Sequence, residues 1–158
     1  MAIERERKFF VIKEKLPGFA GSHTIIQAYL PSAKTLSFRV RIMDDRAFLT
    51  LKGPDDNGVR SEFEFGISLE EAKELMNSFE SFTITKIRHI IFYSGYKWEI
   101  DEFLGENAGL WLAEVEYNSE GEEIPLPEWV AKEVTGIEKY HNSSLARYPF
   151  SKIKNDHD

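Results

Sequence analysis

Residues 1–8 of the chain read MAIERERK and place Glu4, Glu6 and Lys8 at a strict spacing of two. In a β-strand alternate residues lie on the same face, so this segment predicts a strand that presents two carboxylates and an ammonium group side by side. Such a surface suits a hard divalent cation and an anionic phosphate chain far better than it suits a packed core. The segment therefore indicates phosphate chemistry on a β-sheet.

Seven further segments have strand character, and short runs of turn residues separate several of them. Asp44-Asp45, Ser94-Gly95 and the loop from Pro54 to Gly58 supply the residues that hairpin connections prefer. The predicted strands span about residues 3–11, 24–30, 36–43, 46–52, 60–67, 83–93, 96–103 and 110–117.

The sequence also predicts helices outside the sheet. Ser68 and Glu71 form a capping box ahead of an apolar periodic run, which indicates an amphipathic helix. A second helix is expected to open near Pro127 and to end at Gly136, because proline favours helix starts and glycine favours helix ends. A short third helix is expected to follow Asn142 as its cap.

Composition narrows the class of protein. With 158 residues and 42% hydrophobic content the chain can build one domain with a genuine core, which we place at residues 1–150, followed by a frayed polar tail at residues 151–158. The absence of cysteine excludes disulfides, thiolate-held zinc and thiol nucleophiles. A net charge of −7 opposes binding to nucleic acid or anionic membranes, since such binding needs a basic face. The charged N-terminus lacks the apolar core of a signal peptide, so we expect a soluble cytoplasmic protein, monomeric or homodimeric.

The predicted strands segregate their charges by sign. On the charged face the third, fourth and sixth strands carry almost only Lys and Arg, whereas the fifth, seventh and eighth carry Glu and Asp. Exposed sheets usually mix the two signs along a strand, because like charges on one face repel each other. The basic set comprises Arg39, Arg41, Lys52, Lys86 and Arg88, and the acidic set comprises Glu62, Glu64, Glu99, Asp101, Glu114 and Glu116.

Closing the strands with the charged face inward produces a tunnel with a basic wall and an acidic wall. We therefore predict a mainly β protein of the α+β type, an eight-stranded antiparallel β-barrel with a few flanking helices. A polyanion with a bound metal would bridge the two walls. Two other interpretations are that the charges are merely solvated on one side of an open sheet, or that the walls form salt bridges with each other. Burying so many ion pairs costs more than a hydrophobic filling would.

Together these segments resemble the CYTH superfamily, the triphosphate tunnel metalloenzymes. Glu4 to Lys8 match its signature E-x-E-x-K, and later pieces follow in family order, so that the resemblance covers nearly the whole chain. The signature alone has low specificity, whereas the ordered set has high specificity. The later pieces are Arg39-Val40-Arg41, Leu51-Lys52-Gly53, Arg60-Ser61-Glu62-Phe63-Glu64, Lys86-Ile87-Arg88, Glu99-Ile100-Asp101, Glu114-Val115-Glu116, Tyr140-His141-Asn142 and Leu145-Ala146.

The resemblance implies a tunnel that binds a triphosphate and one or two divalent cations, Mg²⁺ or Mn²⁺. In short bacterial members, of the inorganic tripolyphosphatase type, the motif lysine, here Lys8, pairs with a strand-two tyrosine, here Tyr29, to handle the attacking water. Ala28 departs from the family pattern, in which a glycine commonly precedes that tyrosine. By position, the implied phosphate-binding residues are Lys8, Arg39, Arg41, Lys52, Arg60, Lys86 and Arg88, and the implied metal ligands are Glu4, Glu6, Glu62, Glu64, Asp101, Glu114 and Glu116.

The resemblance favours a hydrolase that cleaves inorganic tripolyphosphate to pyrophosphate and phosphate. Adenylate cyclase activity is an alternative on a similar fold, although the sequence shows no interleaved aromatic or amide residues that would define an adenine site. Thiamine triphosphate hydrolysis and a non-catalytic module that binds polyphosphate or nucleotide are further alternatives. The intact set of carboxylates argues against the last, because binding alone needs mainly the basic wall.

Histidine and tryptophan residues are not expected in the site. His23, His89 and His141 share no spacing, so packing or surface positions are predicted for them. The three tryptophans are predicted to be packing anchors rather than platforms for a nucleotide base; they are Trp98, Trp111 and Trp129.

Overall fold

The structure, a computed structural model, describes residues 3–32 and 35–153. Within these residues antiparallel strands follow the order β5-β4-β3-β2-β6-β7-β8-β1, and pairing of β1 with β5 closes the barrel. This confirms the predicted eight-stranded antiparallel barrel. The strands are β1 (Ile3–Val11), β2 (Gly21–Tyr29), β3 (Ser37–Met43), β4 (Arg46–Lys52), β5 (Val59–Ile67), β6 (Phe82–Tyr93), β7 (Tyr96–Phe103), β8 (Trp111–Glu116) and β9 (Val130–Glu133).

Strand β1 closes the barrel because it is shared between several partners. One edge of β1 pairs with β8, while the other pairs first with β5 and then with the short strand β9. Gly58 marks the point where β5 approaches β1. Its φ of +87° suits glycine, and a Cβ there would lie 2.3 Å from the carbonyl oxygen of Glu6. The acidic face of β1 therefore depends on a glycine at the start of β5.

Apolar side chains cover the outside of the barrel in two places. The helix α1 (Leu69–Ser78), with the predicted capping box of Ser68 and Glu71, packs over β3 and β4. Trp129 and Ile124 cover the outer face of β7, β8 and β1, where Trp98 is fully buried. The outward faces predicted from the sequence are thus confirmed for these strands.

Strand β5 differs from the prediction on its outer face. Strand alternation puts Phe63, Phe65 and Ile67 on the face opposite Glu62 and Glu64, a face suited to packing, but Phe63 and Phe65 are 45% and 53% exposed. Ile67 does pack with the cluster beneath α1. The reason is that α1 follows directly after β5 and covers only the C-terminal end of this strand, where Ile67 lies.

One end of the barrel interior is filled by a third apolar cluster. The cluster includes Tyr29, Ile84, Phe103 and Leu112. Each of these side chains is two positions along its strand from a polar or charged residue that points inward, so all four point inward as well. The fully buried Leu145 of α2 (Asn142–Arg147) packs among them. The charged part of the interior therefore lies towards the other end.

Two of the predicted helices need correction. The segment predicted as a helix from Pro127 to Gly136 instead forms β9 (Val130–Glu133), because the edge of β1 beyond its pairing with β5 is free to accept a strand. The third helix exists as α2, but His141 occupies the N-cap position and Asn142 is the first helical residue. The side chain of Asn142 turns into the barrel instead of capping the helix.

The remaining elements are short. Helix α3 (Phe150–Ile153) contains the first residues of the predicted tail, and residues 154–158 lie outside the described residues. Three turns of 3-10 helix lie at Lys13–Lys15, Gly105–Asn107 and Glu138–Tyr140. No helix in the described part of the chain has the length and apolarity needed to cross a membrane.

Candidate active site

The charged part of the barrel interior contains a cavity of about 470 Å³. It brings together most of the residues predicted for the site, from strands far apart in the sequence. The lining residues are Glu4, Glu6, Arg39, Arg41, Glu62, Glu64, Lys86, Arg88, Glu99, Glu114, Glu116 and Asn142.

Strand order turns the segregated charges into two continuous walls. The basic strands β4, β3 and β6 are neighbours around the barrel, apart from the uncharged strand β2 between β3 and β6. The acidic strands β7, β8, β1 and β5 complete the circle. The predicted basic and acidic walls are therefore present, and they meet at two seams, between β4 and β5 and between β6 and β7.

Ion pairs close the seam between β6 and β7. Asp101 is fully buried opposite Arg88 in the strand register. Its two oxygens accept hydrogen bonds from Arg88 Nε and Nη2 at 2.8 and 2.9 Å, and one of them also accepts from Lys86 Nζ at 2.7 Å. Burial raises the pKa of Asp101, but Arg88 and Lys86 outweigh this effect and hold the pKa below its ordinary value.

Further ion pairs link the walls at other positions. Lys52 Nζ lies 2.7 Å from Glu4, and Lys8 Nζ lies 3.5 Å from Glu114. Burial alone would raise the pKa of Glu4, but Lys52 holds it below the ordinary range. The interpretation in which the walls form salt bridges with each other is thus partly correct, and it holds for the most deeply buried charges. Such pairs fix the wall geometry because leaving either partner unpaired is costly.

Three carboxylates that face the cavity have raised pKa values, although one of them, Glu62, lies 4.0 Å from Lys52 Nζ. Burial, then Glu114 and Glu4, raise the pKa of Glu6 well above its ordinary value. Burial, then Glu4 and Glu99, raise the pKa of Glu116. Burial also raises the pKa of Glu62, with Glu4 adding to the effect against the opposing Lys52. The acidic wall therefore carries excess negative charge towards the cavity.

The facing basic wall carries excess positive charge. Burial, followed by the neighbouring Arg39 and Arg88, lowers the pKa of Arg41 to about 10. Arg39 is buried, and its Nε has no hydrogen-bond partner in the described part of the chain. A buried guanidinium N–H without an acceptor is costly, so Arg39 has an unused hydrogen-bond donor at this wall.

The two predicted catalytic residues lie in the interior but have separate partners. Lys8 Nζ donates to the carbonyl oxygen of Tyr140 at 3.3 Å and lies beside Glu114. Burial lowers the pKa of Lys8, but Glu114 and Glu6 outweigh it and raise the pKa above the ordinary value. The Tyr29 hydroxyl accepts a hydrogen bond from Gln27 at 3.0 Å. The predicted direct pair is therefore absent from the contacts that the structure records for these two residues.

Arg60 lines a second cavity beyond the site, of about 460 Å³, which Tyr29 and His141 also border. His141 Nε2 lies 3.0 Å from Asp55, and burial together with Lys8 lowers its pKa. Of the other two histidines in the described part of the chain, His23 pairs with Asp44, and His89 stacks between Phe19 and Trp111.

The predicted set of site residues omitted three residues of the site, although Glu99 was placed on the acidic wall. Glu99 lines the cavity and lies 3.3 Å from Arg88, and its spacing of two from Asp101 was a usable signal. Gln27 lies between the basic strands, at a spacing of two from Tyr29. Asn142 lines the cavity from a helix, so no strand periodicity could have indicated it.

The fold and the cavity define a β-barrel tunnel protein in which a basic wall faces an acidic wall across the interior. The chain belongs to the CYTH family, whose model matches residues 2–148. An inorganic triphosphatase of Acetivibrio thermocellus is 37% identical over 155 residues, which cover 98% of this chain and 99% of that protein. An inorganic triphosphatase of Nitrosomonas europaea is 32% identical over 148 residues, 90% of this chain and 96% of that protein.

A solved structure supports the same assignment. The crystal structure of an inorganic triphosphatase is similar with a TM-score of 0.66 and 31% identity, covering 92% of this chain and 95% of that chain. This similarity confirms the predicted barrel.

The acidic wall fits a hard divalent cation, as expected for a family of metal-dependent enzymes. It supplies carboxylate oxygens, and the raised pKa values of Glu6, Glu62 and Glu116 show a local deficit of positive charge. Among the described residues no three acidic or histidine side chains are already arranged around one metal position. Magnesium commonly completes its coordination with substrate phosphates and waters. The donor set therefore fits a cation that is bound together with an anionic substrate.

Proposed function

We propose that this protein hydrolyses inorganic tripolyphosphate to pyrophosphate and phosphate, with Mg²⁺ or Mn²⁺ as the metal. The observation that carries the proposal is the pair of facing walls, each with excess charge of one sign, in a cavity of about 470 Å³. A phosphate chain with a bound cation matches both walls at once. The relatives named inorganic triphosphatase support the same substrate.

The chemistry divides between the two walls. Arg39, Arg41, Lys86 and Arg88 bind the phosphate oxygens and stabilise the charge that spreads over the transferred group. Glu6, Glu62, Glu64 and Glu116, together with Glu4 and Glu114, are the residues that would hold a divalent cation. That cation would neutralise phosphate oxygens and favour attack by water.

Two predicted ligands take a different role in this proposal. Both oxygens of Asp101 are engaged by Lys86 and Arg88, so Asp101 acts as a positioning residue for the phosphate-binding cations instead of a metal ligand. Lys52, which lies against Glu4, positions that carboxylate in the same way.

Phosphate release from a panel of substrates tests the proposal. Tripolyphosphate, ATP and thiamine triphosphate would each be supplied with Mg²⁺ or Mn²⁺, and cyclic AMP would be measured in parallel. We expect tripolyphosphate to have the highest kcat/KM. Each alternative has its own outcome. Faster turnover of thiamine triphosphate would indicate a thiamine triphosphatase, and formation of cyclic AMP from ATP would indicate an adenylate cyclase. Binding of polyphosphate without turnover would indicate a non-catalytic module.

Removing either cavity arginine is expected to weaken binding of a slowly hydrolysed triphosphate. Arg39→Ala and Arg41→Ala each remove a charge-assisted hydrogen-bond donor, worth about 1.5–3 kcal/mol, which is roughly a tenfold to hundredfold change in Kd. Calorimetry measures the affinity. Arg46→Ala is the control, because Arg46 is exposed on the neighbouring strand β4. Affinities of both cavity variants within about twofold of the control would place these arginines outside the phosphate site.

Lys8→Met and Tyr29→Phe are expected to lower kcat more than they weaken binding, if the two side chains help to position or deprotonate the attacking water. A general acid or base contributes about 10² to 10⁴ in rate, which single-turnover kinetics resolve. Tyr96→Phe is the control, because Tyr96 bonds to Glu122 away from the cavity. A rise in KM alone for Lys8→Met, with little change for Tyr29→Phe, would make Lys8 one more phosphate-binding residue.

A further inference from the structure

The middle of the basic wall contains a buried amide instead of a cation. Strand β2 lies between β3 and β6 and contributes Gln27, which is fully buried. Since Gln27 is inaccessible, it acts only through the groups around it. A buried amide also needs hydrogen-bond partners at both ends, because an unpaired polar group inside a protein destabilises the fold.

Gln27 has such partners, and they are residues of the site. Arg41 Nε donates to Gln27 Oε1 at 3.0 Å. Gln27 Nε2 lies 3.0 Å from the Asn142 Oδ1 atom and 3.0 Å from the Tyr29 hydroxyl oxygen. Lys86 Nζ donates to the same Asn142 oxygen at 2.8 Å. One connected network therefore joins two phosphate-binding cations and the predicted catalytic tyrosine.

The cations determine how both amides are oriented. Arg41 and Lys86 can only donate hydrogen bonds, so the atoms facing them are the amide oxygens of Gln27 and Asn142. Gln27 then directs its NH₂ group towards Asn142 and Tyr29. The hydroxyl oxygen of Tyr29 accepts this bond, which leaves its own hydrogen to point elsewhere.

We propose that Gln27 and Asn142 form a positioning pair that holds Arg41, Lys86 and the Tyr29 hydroxyl in the arrangement needed for phosphoryl transfer. The inference rests on the proposed function, because it assigns a role within that site. An amide pair suits the task, since it fixes cations without neutralising them. A carboxylate at either position would instead reduce the positive charge that the phosphate chain meets.

The pair also explains why a helix takes part in a barrel site. Asn142 is the first residue of α2, and its side chain enters the barrel interior instead of capping its own helix. Packing of Leu145 in the apolar end of the barrel fixes where α2 lies. Phosphoryl transfer depends on close alignment, and a misplacement of about 1 Å is enough to cost a hundredfold in rate.

Kinetics of three variants and one control test the proposal. Gln27→Met keeps the approximate volume but removes both polar atoms, and Asn142→Ala removes the shared acceptor. Each is expected to lower kcat for tripolyphosphate by about tenfold to a hundredfold, with a smaller rise in KM, because Arg41 and Lys86 stay in the cavity while their alignment is lost. The double variant is expected to lose little more than the worse single one, since residues that act as one unit are not additive.

Asn107→Ala is the matched structural control. Asn107 is also a buried asparagine that binds the C-terminal helices, through the carbonyl of Leu145 and the N–H of Phe150, but it does not line the cavity. We expect Asn107→Ala to lower Tm while kcat stays within about twofold of wild type. Three outcomes would each overturn the proposed positioning pair. The control could lose as much kcat as the site variants, or the losses of the two single variants could multiply in the double variant. The third outcome is a kcat of the single variants within about twofold of wild type.

A crystal structure of Asn142→Ala separates this inference from the proposed function, because it needs no substrate. We expect Lys86 Nζ and the Arg41 guanidinium to shift by about 1 Å, the scale at which alignment matters. Unmoved cations would overturn the positioning pair even in an active enzyme. Failure of the wild-type protein to hydrolyse tripolyphosphate would overturn the proposed function instead.

Discussion

Removal of the divalent cation is expected to abolish phosphate release, with a fall in kcat of at least about a thousandfold. The carboxylates that face the cavity repel one another, and this repulsion adds to burial in raising the pKa values of Glu6 and Glu116. Without a cation the triphosphate would bring further negative charge next to this wall. The measurement is phosphate release before and after treatment with excess EDTA, followed by restoration with Mg²⁺ or Mn²⁺.

Monovalent salt at equal ionic strength is the control for this experiment, because it screens charge without occupying the site. Protons compete with the metal for carboxylates of raised pKa, so the apparent metal affinity should weaken as the pH is lowered towards the raised pKa values of Glu6 and Glu116. Full activity in EDTA after removal of tightly held metal would refute the metal requirement.

Asp101→Asn is expected to produce the largest loss of stability in the site. Asp101 is fully buried and pairs with both Lys86 and Arg88. Removing the charge breaks the buried ion pairs with Lys86 and Arg88, although Arg88 keeps its contacts with Glu99 and Glu114. Breaking a buried pair typically costs about 3–5 kcal/mol in the free energy of unfolding. For a chain of this size that corresponds to a fall in Tm of roughly 6–20 °C. Binding of triphosphate should weaken as well, since both cations lose their fixed positions.

Glu102→Gln is the matched control for Asp101→Asn. Glu102 is the next residue of β7, points outward, is only partly buried and contacts His89. A contact of this kind contributes about 0–1 kcal/mol. Thermal unfolding of the two variants should therefore differ clearly. Equal Tm values would show that the burial of Lys86 and Arg88 does not depend on the charge of Asp101. Asp101 would then again be a candidate metal ligand, as the resemblance implies.

Much of the fold was predictable because strand alternation is a local property. Spacing of two among charged residues assigned the inward faces of β1, β3 and β8 without any knowledge of their partners. The same rule did not predict burial on the outer face of β5, where Phe63 and Phe65 are exposed. Alternation separates the two faces of a strand, but the element that covers a face is decided by the rest of the chain.

The segment after Pro127 shows the limit of pattern analysis. Val130 and Val134 are spaced as on one face of a helix, and Gly136 resembles a helix end. The segment nevertheless forms β9, which pairs with the free edge of β1. The backbone hydrogen bonds to β1 outweigh a weak helical preference.

The sequence by itself determined the barrel strands, the sign of charge on most inward faces and most of the residues that meet in the cavity. Only the tertiary structure decided which of these charges neutralise one another and which remain for a ligand. Glu4 and Glu6 are both inward carboxylates on β1, yet Lys52 Nζ lies 2.7 Å from Glu4, whereas burial, then Glu114 and Glu4, raise the pKa of Glu6. Likewise, Gln27 meets Asn142 across 115 residues of chain. Periodicity is set by each residue's own backbone, whereas pairing depends on distances between segments that only folding brings together.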